Sequence, residues 1–86
     1  MDNLPEKLSP EHIEGMIVDE AYFFTPKSTI CVLILKNSFE VIGTAGVIRP
    51  ELNDPAIGRK VSRQKAVDQV WLVEGYLLQQ KIYDLG

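Results

Sequence analysis

The sequence predicts an α+β domain: a short N-terminal helix, a three-stranded antiparallel meander, and one long C-terminal helix packed on the sheet. Three observations predict it. An apolar run from Thr29 to Lys36 is followed at once by a turn and a second β-prone run. A proline-free segment after Pro55, reaching about Tyr83, carries apolar residues at helical spacing. Two pairs, Ser9-Pro10 and Asp54-Pro55, mark helix starts on either side of the strands.

Residues 1–8 are largely polar, contain Pro5, and are expected to form a flexible arm, leaving 9–86 as a single domain. Ser9 suits an N-cap and Pro10 the first helical position. Glu11 complements the helix dipole. Ile13, Met16, Ile17 and Ala21 follow at helical spacing, so this helix is expected to end near Asp19. Ala21 to Thr25 is aromatic and β-prone, and Pro26-Lys27-Ser28 reads as a turn. Thr29 to Lys36 is the best strand. Its apolar centre does not alternate, which implies cover on both faces. Asn37-Ser38 reads as a hairpin turn, since Asn tolerates positive φ. Phe39 to Ala45 returns, with Gly43 and Gly46 implying a bulge or a close backbone approach.

On a helical wheel, Ala66, Val67, Val70, Trp71, Val73, Leu77 and Leu78 share one face of the long helix. Lys65, Asp68, Gln69, Gln79 and Gln80 lie opposite. About 28 helical residues span ~42 Å, whereas a seven-residue strand covers ~23 Å, so one end overhangs its sheet. Leu72 and Tyr76 add apolar surface on the polar side. Gly75 costs about 1 kcal/mol in a helix interior and would mark a close crossing or a kink. Either the first helix covers this surface or a second copy does. A chain this small buries only about 60–65% of its unfolded surface. That favours a homo-oligomer, dimer or higher, with Leu72, Gly75 and Tyr76 at its interface.

Hydrophobic residues make up 45% and charged residues 24%, a globular composition. The net charge of -3 and pI near 5.0 weigh against nucleic acid and anionic membranes as partners. The longest apolar run, Ile30 to Leu35, is far short of the ~20 residues of a membrane span. No signal-peptide pattern opens the chain. The single cysteine, Cys31, is expected as a small core residue in a reducing cytoplasm. With one cysteine and one histidine, His12, a four-ligand zinc site cannot form. His12 itself reads as a surface or capping residue. There is no supported Ser-His-Asp set and no Walker A or G-x-G-x-x-G pattern. The expectation is a protein that is not an enzyme, with no catalytic residue, metal or cofactor.

One cluster rises above this background. Four of the nine basic residues, Arg59, Lys60, Arg63 and Lys65, fall within seven positions near the start of the long helix. Basic residues there oppose the dipole, which makes more sense if an anion binds. Arg59 and Arg63 are four apart and so stack on one side, the side of Val70 and Leu77 on the wheel. They could clamp a phosphate bidentately. They could equally pair with Glu40, Glu51 or Asp54, or be solvated.

The succession Asn37-Ser38-Phe39-Glu40-Val41-Ile42-Gly43, then Gly58-Arg59-Lys60, Ala66, Trp71, Glu74-Gly75-Tyr76 and Leu78, resembles a family of small phage proteins. The family is typed by gene 49 of phage N4 and gene 66 of phage Sf6. Its marks are a strand, an N-G-F-x-V-x-G hairpin and G-R-K-x-A-x-x-x-A-x-x-x-x-W-x-x-E-G-Y-x-L. The likeness covers about residues 9 to 83. Ser38 stands where the pattern has glycine, and Ser62 where alanine is common. The chain is also similar to phage anti-defence proteins of the Thoeris-inhibitor kind, which sequester cyclic nucleotide signals without catalysis. That resemblance implies a counter-defence role in the bacterial host cytoplasm. It implies a cyclic nucleotide ligand gripped by Arg59 and Arg63, with Lys60 beside them and an aromatic for stacking, Phe39 or Tyr22. The alternative is an inhibitor or adaptor acting on a host protein, with an exposed apolar patch around Leu72 and Tyr76.

Overall fold

A computed structural model describes residues 8–86. Along the chain come α1 (Pro10–Gly15), β1 (Ile17–Phe24), β2 (Ser28–Leu35), β3 (Glu40–Gly46), a 3-10 turn (Pro50–Leu52) and α2 (Pro55–Leu85). This is the expected α+β order. Of the expected arm, residues 1–7 lie outside the described region, and Leu8 is half-buried against the core.

The first helix is shorter than its spacing suggested. Ser9 Oγ accepts the His12 N–H at 3.1 Å and Pro10 opens the helix, but it stops at Gly15. Ile17 and Val18 are β-branched and prefer a pleated surface. Ile17 pairs with Leu35, and the Met16 carbonyl accepts the Lys36 N–H. The apolar spacing of Met16, Ile17 and Ala21 thus serves a strand joined to β2, not a third helical turn. A register shift between Ile17 and Asp19 absorbs the entry into β1.

The sheet runs β1-β2-β3, all antiparallel. At its second turn Ser38 adopts φ 73°, the left-handed region. Ser38 N–H donates to Leu35 O, and the Asn37 carboxamide oxygen accepts the Phe39 N–H at 3.0 Å. The position therefore demands what glycine supplies without strain, and serine occupies it at a cost of about 1 kcal/mol.

On β2, Thr29, Cys31, Leu33 and Leu35 are buried and the residues between them are half-buried. The buried set faces α2, which lies across β2 and β3. Ile13, Cys31, Leu33, Leu35, Val41, Ala66, Val67 and Val70 form the core. Cover on both faces was the expectation for β2. Among the described residues, only the α2 side carries a layer.

The helix seats through a stripe of every fourth residue: Gly58, Ser62, Ala66, Val70 and Glu74 are all buried. A side chain at Gly43 would strike the Ser62 carbonyl and the Ala66 backbone, and one at Gly58 would strike the Thr29 hydroxyl. Gly43 is thus a close backbone approach. The predicted apolar face is borne out by Ala66, Val67 and Val70, with Trp71, Val73 and Leu78 half-buried beside them. Leu77 is exposed at 44%. The buried residues of α2 end at Glu74, while the helix continues to Leu85. The chain measures 55 × 21 × 18 Å, elongated along this overhang.

Candidate functional site on the β1 shelf beside α2

Because α2 sits over β2 and β3, the helix-side face of β1 forms a shelf beside it. Register puts Glu20, Tyr22 and Phe24 opposite Leu33, Cys31 and Thr29, the buried positions of β2, so these three share that shelf. Arg59 and Arg63 reach over it from α2. The Arg59 guanidinium carbon lies 5.8 Å from the Phe24 ring centroid, within the range of a cation–π contact. Phe24 keeps 48% of its surface exposed.

One turn on, Arg63 is locked between two carboxylates. Its terminal nitrogens donate to the two oxygens of Glu14 at 2.9 and 3.0 Å, and its Nε donates to Glu20 at 3.0 Å. Tyr22 donates its hydroxyl to the other Glu20 oxygen at 2.8 Å. The fork geometry of guanidinium suits this bidentate grip. The bonds from Arg63 hold the Glu14 carboxyl below its ordinary value. They also keep Arg63 fully protonated. Burial, and then the bond to Glu20, raise the Tyr22 phenol well above its ordinary value. Burial pushes the Cys31 thiol up as well, and the side chain is fully enclosed, as a core cysteine should be.

The acidic partners of Arg63 are not the ones the sequence offered. Glu40 sits at the far end of β3, Glu51 in the 3-10 turn, and Asp54 caps α2 by accepting the Ala56 N–H at 2.9 Å. Glu20 and Phe24 were missed because β1 begins earlier than expected, and with it the alternation that gathers Glu20, Tyr22 and Phe24; Glu14, on α1, reaches Arg63 across 49 residues of sequence. Arg59 and Lys60 are exposed, and among the described residues neither has a carboxylate within ion-pair distance. Phe39 does not join them. It lines a depression of about 260 Å³ at the other end of the sheet, with Met16, Leu35, Val73, Tyr76 and Leu77.

The interface candidates lie near that second place. Leu72 and Tyr76 are 68% and 71% exposed, so α1 does not cover them. Nothing stands within 4 Å of where a Gly75 side chain would begin, and α2 runs through it without a break. α1 instead meets α2 through His12, whose Nε2 lies 3.0 Å from the buried Glu74 carboxylate. Among the described residues no group of three metal-ligating side chains could hold a metal ion. No helix among them is long and apolar enough to cross a membrane.

The phage protein (N4 Gp49/phage Sf6 gene 66) family matches residues 8–82, nearly the whole chain. The chain belongs to this family. The match spans α1, the sheet and α2 almost to its end, so both the Arg59–Phe24 shelf and the Phe39 depression lie within the family domain. No curated protein and no solved structure matches the chain.

Proposed function

We propose that this phage protein is a non-catalytic counter-defence factor that binds and holds a cyclic nucleotide immune signal in the bacterial host cytoplasm. The observation that carries this reading is the Arg59 guanidinium beside the exposed Phe24 ring, with Lys60, a second cation, following it in the sequence, in a chain of net charge -3. A base stacks on an aromatic face or a guanidinium plane, and phosphates take unpaired cations. Arg63 plays a different part from the one first assigned to it. Glu14 and Glu20 already engage three of its five N–H donors and repel an approaching phosphate. Arg59 is therefore the primary phosphate contact, with Lys60 adding positive charge nearby on the helix, and Arg63 braces α2 against α1 and β1. Phe24, not Phe39, is the stacking residue.

Calorimetry with cyclic ADP-ribose isomers and cyclic oligonucleotides tests this. The wild type should bind one of them, and the double variant Arg59→Ala/Lys60→Ala should bind it at least about tenfold more weakly. A wild type that binds none of them, or a double variant with unchanged affinity, overturns the reading.

A second reading rests on the exposed Leu72 and Tyr76 beside the Phe39 depression. In it the protein acts as an inhibitor or adaptor on a host protein that seats an apolar side chain there. A host protein captured by wild type and lost with Tyr76→Asp, while Arg59→Ala/Lys60→Ala still captures it, would favour this reading over the first.

A further inference from the structure

The face of the sheet turned away from α2 has no layer on it among the described residues, yet its side chains are not those of a solvated face. The register brings three rows across the strands: Asp19, Ile34 and Glu40; Ala21, Val32 and Ile42; Phe23, Ile30 and Thr44. Phe23 and Ile42 are 57% and 56% exposed, and Ile30, Val32 and Ile34 are half-buried only by their neighbours in the sheet. An antiparallel sheet with one wet face places polar residues on it. Here the centre is apolar and the polar groups are confined to the ends.

Three strands at ~4.8 Å spacing and ~3.4 Å per residue make a face of about 14 by 24 Å, roughly 340 Å². Six of its nine side chains are apolar, so the apolar part is about two-thirds of that, roughly 230 Å², a continuous patch rimmed by polar residues. Two such faces make about 680 Å², and the long side chains of Lys27 and Arg49 at each rim carry the contact toward the ~1,000 Å² of a specific interface.

The rim selects an orientation. One end carries Asp19 and Glu40 on either side of Ile34, with Lys36 in the adjoining turn. The other carries Lys27 in the β1–β2 turn, whose carbonyl accepts the Val47 N–H, and Arg49 just beyond. One end is thus net acidic, and the other presents the two cations, with Glu51 in the 3-10 turn and Asp54 at the start of α2 behind them.

We infer that this outer face is a self-association surface, on which a second copy packs sheet to sheet with its strands reversed. In that arrangement β1 lies over β1 and β3 over β3, so Asp19 of each copy meets the Lys27 end of the other and Glu40 the Arg49 end. The parallel alternative sets like ends together and is repelled. The surface lies on the opposite side of the sheet from Arg59 and Phe24, so it stands or falls independently of the proposed ligand.

Sedimentation equilibrium on the full chain, with circular dichroism to confirm folding, tests the inference. The wild type should dimerise with a dissociation constant in the micromolar range. Ile42→Lys should weaken it by about tenfold or more, whereas Tyr76→Lys, on the α2 overhang, should leave it unchanged. Lys27→Glu should weaken it too, and Lys27→Glu/Asp19→Lys should restore it. A monomeric wild type overturns the inference. So does a dimer that survives Ile42→Lys, or one that is lost with Tyr76→Lys alone. Failure of the charge swap to restore association overturns the reversed orientation.

Discussion

Arg63 and Glu14 carry a pH dependence whose sign is fixed by their geometry. Two hydrogen bonds from Arg63 stabilise the ionised Glu14 carboxylate and lower its pKa from the ordinary 4.5. A lowered carboxylate contributes stability that is fully present above its unfolded value and is lost as pH falls through the folded one. Glu14 is 53% exposed, so solvent screens the pair and its contribution stays below about 1 kcal/mol. Urea denaturation should therefore find Glu14→Gln modestly less stable than wild type at pH 7. The two curves should converge as pH falls below about 4.5. A gap that stays constant down to strongly acid pH would mean that Glu14 loses packing and not charge. The sequence made Arg59 and Arg63 visible as a pair but not the difference between them. Spacing four apart says that two side chains neighbour each other. It says nothing of the carboxylates that β1 and α1 bring from 43 and 49 residues away.

At the scale of elements, the helix–sheet contact is governed by small residues. Gly43 lets the α2 backbone lie directly on β3, with Ser62 and Ala66 facing it. Gly43→Ala has no flexible side chain to displace, only helix backbone, so α2 must lift from the sheet along with Val67 and Val70. The expected cost is about 3 kcal/mol or more, at the top of the range for overpacking, and thermal unfolding should register it as a large fall in Tm. A variant as stable as wild type would mean that α2 does not rest on this strand. The sequence revealed α2 and the meander because each has a period and a start or stop signal. It pointed to the close approach at Gly43 as one of two readings. It concealed the boundary between α1 and β1, since Met16, Ile17 and Ala21 satisfy a helical spacing, while β-branched Ile17 and Val18 suit a strand as well. It also concealed the Gly58-Ser62-Ala66 stripe, because a wheel ranks hydrophobic residues and the deepest contacts here are made by the smallest ones.

At the scale of the molecule, stability is concentrated in one part and shape in another. The buried side chains gather where α2 crosses β2 and β3, and no residue of α2 beyond Glu74 is buried. The last turns are polar or exposed, with Ile82, Tyr83 and Leu85 at 40%, 74% and 75% exposure. A helix held only by its own hydrogen bonds over so short a stretch is marginal in water. Hydrogen exchange on a dilute, monomeric sample should then divide the chain. Amides of Cys31, Leu33, Ala66 and Val70 should open only with global unfolding, and those beyond Leu78 should exchange by local fraying, orders of magnitude faster. Raising the concentration to populate a dimer separates the two surfaces this chain leaves apolar. Association through the outer sheet face should slow exchange at the edges of β1 and β3 and leave Ile82 to Leu85 frayed. Protection that instead spreads along α2 to Leu85 would place the second copy on the overhang, at Leu72 and Tyr76.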